Sequence, residues 1–103
     1  MESYSRERIR RMVDNAILAK IKPYEVDQEA DRIIQKCFAT IADGRSFVFC
    51  LPGLYKQSKQ FHELVLKKIL HVFPEADCKL VCPSTFFEYQ YSIDLLPDIH
   101  QAN

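Results

Sequence analysis

Three sets of side chains in this chain could carry chemistry, and each has a spacing that can be weighed. Cys78 and Cys82, with His71 nearby, invite a zinc reading. Structural zinc knuckles place two cysteines on a tight turn, and here the intervening Lys79-Leu80-Val81 are strand formers. Extended at roughly 3.3 Å per residue, the two Cα atoms would stand about 13 Å apart, too far for one ion. Cys37 falls in an apolar helical pattern and Cys50 in an apolar strand pattern, where free cysteine behaves as a small hydrophobe. No metal site and no cofactor is expected.

Ser58 and His62, four apart on one helix, are a nucleophile–base spacing. A triad also needs an orienting acid and an oxyanion hole. Glu63 points elsewhere around the helix and no glycine elbow surrounds Ser58. Glu88 and Asp94 are the carboxylate pair, on the polar side of a strand pattern with Gln90 and Ser92. General acid–base work needs one carboxyl in an apolar cleft, whereas a one-side-wet strand presents such a row as ordinary solvated surface. The expectation is therefore no catalytic residue and no enzyme, a small enzyme standing only as the last alternative after the two partner classes below.

The elements that would position these groups follow from periodicity. Ile9, Met12, Val13, Ala16 and Ile17 mark a helix over 5–21, with Ser5 as N-cap and Pro23 as stop. Val26, Ala30, Ile33, Ile34, Cys37, Phe38 and Ile41 mark a second over 25–42. Glu25, Asp27 and Glu29 favour its positive end, and Gly44 suits its C-terminus. The short connection makes these two an antiparallel hairpin. The run 46–51, apolar on both sides, reads as a central strand closed by Pro52-Gly53. A third helix covers 56–72, with Phe61, Leu64, Val65, Ile69 and Val72 inward. Residues 78–82 and 85–94 give two more strands, the last alternating Phe87, Tyr89, Tyr91 and Ile93 with polar residues. Residues 98–103 are expected to form a loose tail.

The order α-α-β-α-β-β describes one α+β domain over 1–103. Its expected sheet is three-stranded and mixed, with a β-α-β crossover containing a parallel pair, packed by the N-terminal helical hairpin. The last strand is expected to pair antiparallel with the second and to lie at an exposed edge.

Only two glycines occur, which excludes a glycine-rich phosphate loop. No apolar stretch reaches the roughly 20 residues of a membrane span. The polar start of the chain does not read as a secretory signal, so free thiols in the cytoplasm or nucleus are expected. Net charge is zero but blocked: +3 over 1–22, −3 over 23–44, +4 over 45–72 and −4 over 73–103. Two partner classes fit. A protein-interaction module, adaptor or homodimer would use Leu54, Tyr55, Tyr89, Tyr91, Leu95 and Leu96, because exposed aromatics and loop leucines suit interfaces. An RNA- or DNA-associated module would use Arg6, Arg10, Arg11, Lys56, Lys59, Lys67 and Lys68 to neutralise phosphate. A neutral chain with pI near 6.8 favours the first.

Overall fold

The computed structural model describes residues 3–54, 57–82 and 89–97. Helix α1 (Arg6–Lys20) starts where the Ser5 hydroxyl accepts the Arg8 N–H at 3.1 Å. Helix α2 (Pro23–Ala42) takes its proline in the first turn, where the missing N–H costs nothing. It ends in a Schellman motif. Gly44, at φ +76°, donates to Ile41 O, and Arg45 N–H donates back to Thr40 O. Strand β1 (Phe47–Cys50) follows, then α3 (Lys59–Val72), capped by the Ser58 hydroxyl on Phe61 N–H at 3.2 Å. Strands β2 (Asp77–Val81) and β3 (Gln90–Asp94) complete the α+β order expected from the sequence.

The sheet is antiparallel throughout, in the order β1-β3-β2, so the expected mixed sheet is corrected. β1 and β2 do flank a crossover helix and run the same way, but β3 is inserted between them. Its inner side chains explain the place: Tyr91 and Ile93 are fully buried, which an edge strand would not achieve. β1, expected at the centre, is an edge strand. Its run Phe-Val-Phe-Cys alternates exposed and buried, so it is apolar on both faces while only one is covered.

α2 and α3 lie side by side over one face of the sheet. Val26, Ala30, Ile33 and Cys37 from α2 and Phe61, Val65 and Ile69 from α3 meet Val48, Cys50, Tyr91 and Ile93. The other face carries no layer among the described residues. The expected helical hairpin is also corrected. α1 makes its main packing contact with α3 instead of α2, through Asp14 and Gln60 at 3.0 Å and a cleft shared by Leu18, Ile21 and Leu64. No α1 residue is buried. These contacts run α1 alongside α3, so the turns bearing Arg6 to Arg11 continue past the start of α3. The long dimension is 61 Å against 33 and 29 Å, and the radius of gyration is 16.3 Å, where a compact chain of this length has about 13 Å.

Candidate functional site

Two buried polar side chains stand inside the helical face, and each is fully engaged. Glu29 of α2 is 2% exposed. Its Oε1 accepts from Arg32 Nε at 2.5 Å, and its Oε2 accepts the Gly53 N–H at 2.8 Å. Arg32 reaches on to the Leu51 carbonyl at 2.8 Å, and Gln57 donates to Glu25 at 3.3 Å. One face of α2 thus staples the loop that carries the chain from β1 to α3. A methyl group at Gly53 would stand 2.7 Å from Arg32 Nε and 3.1 Å from Glu29 Oε1, so this ion pair requires a bare backbone there. The hydrogen bond to Glu29 holds the Arg32 guanidinium firmly in its charged form.

His62, also 2% exposed, shares a hydrogen bond through Nδ1 with the Tyr91 hydroxyl. The rings of Phe61, Tyr89 and Tyr91 surround it at 5.3, 5.5 and 5.3 Å between centroids. Burial pushes the His62 pKa down, partly offset by the nearby Glu29 carboxylate. Burial pushes the Tyr91 phenol up, so it stays protonated. Every buried side-chain N or O atom among the described residues has a partner. This network is directed inward.

The sequence-derived candidates separate accordingly. Ser58 is a helix cap and His62 is enclosed in the core, so the pair does not form a nucleophile and base. Cys37 and Cys50 are buried thiols, and burial raises the Cys37 and Cys78 pKa values to about 11. Among the described residues no group of three histidines, cysteines or carboxylates could hold a metal. Glu88 lies outside the described residues, as do Tyr55 and Lys56.

Of the proposed protein-contact residues, Tyr91 is corrected: it is wholly inside the core and cannot reach a partner. Tyr89 is half-buried beside His62, and Leu54 and Leu95 pack partly on the core. Leu96 is exposed, at the rim of a 640 Å³ apolar pocket with Ile41, Phe73 and Leu95. Of the basic residues, Arg6, Arg10 and Arg11 are exposed on α1. Lys59 and Lys68 are exposed on α3, paired with Glu63 at 3.8 Å and Asp27 at 2.7 Å. Lys67 lines the cleft between α1, α2 and α3.

The surfaces that sequence reasoning missed are apolar. On the open face of the sheet Phe47 and Phe49 are 51% and 55% exposed, with Leu51 beyond them and Val81 across the sheet. The register sets Phe47 beside Asp94 and then Asp77, and Phe49 beside Ser92 and then Lys79. On α1, Ile9, Met12 and Val13 are each about half exposed. Both patches were visible as apolar positions; what the periodicity lacked was any sign of which faces would be covered. Glu29 had a readable signal, since it sits at helical spacing with Val26, Ala30 and Ile33 on the apolar stripe.

Comparison with protein-family models, with curated proteins and with solved structures returned no match to this chain.

Proposed function

We propose that this chain is a non-enzymatic protein-interaction module, an adaptor or assembly subunit. The observation that carries this reading is the pairing of large exposed side chains with an exhausted polar interior. Among the described residues nothing covers the sheet face that carries Phe47 and Phe49 or the helix stripe of Ile9, Met12 and Val13, and each of these side chains is about half exposed. Meanwhile Glu29, Arg32, His62 and Tyr91 are occupied with one another and with the β1–α3 loop. Contiguous apolar surface of this kind marks contact with another macromolecule. Among the described residues no helix is long and apolar enough to cross a membrane. The four free thiols support a reducing compartment, the cytoplasm or nucleus.

A second reading has its own observation. Phe49 shares a sheet row with Lys79, an arrangement that stacks bases and meets phosphate, and the arginines of α1 would add positive charge. Asp77 and Asp94 on the same face oppose it.

The test uses the purified chain with light scattering and with a fluorescent single-stranded RNA at two salt concentrations. The protein reading expects association that survives 0.5 M salt and is lost in Phe47→Asp or Phe49→Asp with the fold intact. A monomer that binds RNA with steep salt dependence would replace it with the second reading.

A further inference from the structure

Among the described residues, α1 and the open sheet face carry no layer over them, and they are opposite in net charge. α1 carries Arg6, Arg8, Arg10 and Arg11 against Glu7 and Asp14. On the α-helical wheel its arginines lie on both sides of the Ile9, Met12, Val13 and Ala16 stripe. The sheet face offers Phe47, Phe49 and Val81, with Asp77 and Asp94 in the first row and Lys79 as its single cation among the described residues.

α1 cannot cover the sheet of its own chain. Only Ile21 and Lys22 join it to α2, a reach of about 7 Å, and its C-terminal half is held on the helical layer by Asp14–Gln60. The open face lies on the far side of that layer, which is about 10 Å thick.

We propose that the open sheet face is the docking surface for α1 of a second copy of this chain, in a reciprocal exchange. The proposal rests on the protein-interaction reading and names its partner. Ile9 and Val13 stand about 6 Å apart along a helix, and Phe47 and Phe49 about 7 Å apart along a strand, so the two pairs match in pitch. With Ile9 over Phe47 and Val13 over Phe49, Arg6 stands about 4.5 Å past the end row that holds Asp94 and Asp77, so its long side chain must turn back to meet them, and Asp77 is already paired with Lys79 at 3.4 Å. A sheet with one layer on each side is the ordinary stable arrangement, and the exchange supplies the missing layer to both copies. The surface area points the same way. The chain exposes 7750 Å², where a compact monomer of its mass exposes roughly 6,000 Å². The difference per chain exceeds the roughly 800 Å² that each partner gives to a standard interface.

Two other features of the fold are already spoken for. The Glu29–Arg32 and His62–Tyr91 network is enclosed and spent on the loop and core. The cleft of about 380 Å³ between α1, α2 and α3 has Lys68 already held by Asp27.

Two variants test the exchange. Val13→Asp spoils α1 and leaves the sheet face intact; Phe49→Asp spoils the sheet face and leaves α1 intact. The parent chain is expected to be dimeric by light scattering and each variant alone monomeric, both with native circular dichroism. Phe49→Thr, which keeps strand propensity, serves if the aspartate perturbs β1. Mixed one to one, the two variants are expected to form a heterodimer, because α1 of one can still dock on the sheet of the other. Its affinity should be at least tenfold below that of the parent. A Val13→Asp chain that stays dimeric, or two folded monomeric variants that fail to combine, overturns the exchange. A parent chain that is monomeric at 100 µM also overturns it, while the interaction module stands if a different protein is shown to need Phe49. A parent that binds RNA with steep salt dependence overturns both.

Discussion

The helical face of the sheet and its open face are built from the same three strands, yet they treat side chains in opposite ways. On the helical face even charged and aromatic polar groups are enclosed and matched, Glu29 with Arg32 and Gly53, His62 with Tyr91. On the open face Phe47 and Phe49 are left half in water while their strand neighbours Val48 and Cys50 are buried. The difference teaches where stability resides and, on the proposed reading, where contact would be made. Substitutions on the first face should unfold the domain, and those on the second should change only what it binds.

Glu29 should give the largest effect. Glu29→Ala strips Arg32 and the Gly53 N–H of their partner and should cost about 3 kcal/mol, read as a fall in thermal midpoint of roughly 15 °C. A loss below 0.5 kcal/mol would mean that the α2 staple does not hold the loop. Tyr91→Phe removes only the hydroxyl and leaves His62 Nδ1 without a partner in an aromatic enclosure, for about 1–3 kcal/mol in urea unfolding. Gly53→Ala, which forces a methyl against Arg32, should cost about 1–2 kcal/mol, and the loss should shrink in a Glu29→Ala background because both act on one ion pair.

Stability should also fall at both ends of the pH range. His62 is held neutral by burial, with a folded pKa below its ordinary 6.5. As pH drops below that value the unfolded chain takes up the proton first, so stability present at pH 7 is lost in acid. Cys37 and Cys78 are shifted the other way, from 9.0 to about 11. Their contribution is whole below pH 9 and is lost as the unfolded thiols ionise between 9 and 11. His62→Gln should flatten the acid limb, and an unchanged limb would assign the acid sensitivity elsewhere. The smallest effect belongs to the exposed stripe: Val13→Ser should change the stability of the monomer by less than about 0.5 kcal/mol.

Much of the architecture was legible because it rests on local signals. Ser5 and Ser58 cap, Pro23 opens α2, Gly44 closes it, and the strand patterns fall within a residue or two at β1 and β2. What escaped was relational. A β-α-β order says that two strands run the same way but not that a third will enter between them, and only Tyr91 and Ile93, both large and inward, mark β3 as central. Likewise Ile9 and Val13 reveal an apolar face without revealing what covers it, so α1 and α2 read as a packed pair. The four-residue spacing of His62 from Ser58 suggests a surface pair, whereas its position beside Phe61, Val65 and Ile69 on the apolar stripe places it in the core.

Amide exchange of α1, followed by mass spectrometry at two protein concentrations, tests the central claim most directly. A helix with no buried residue opens with little cost in a lone chain, so its amides should exchange quickly in dilute solution. Slower exchange across 6–20 and β1 at high concentration, with α2 and α3 protected throughout, is the result this account requires. Exchange of α1 that is equally fast at both concentrations would contradict it.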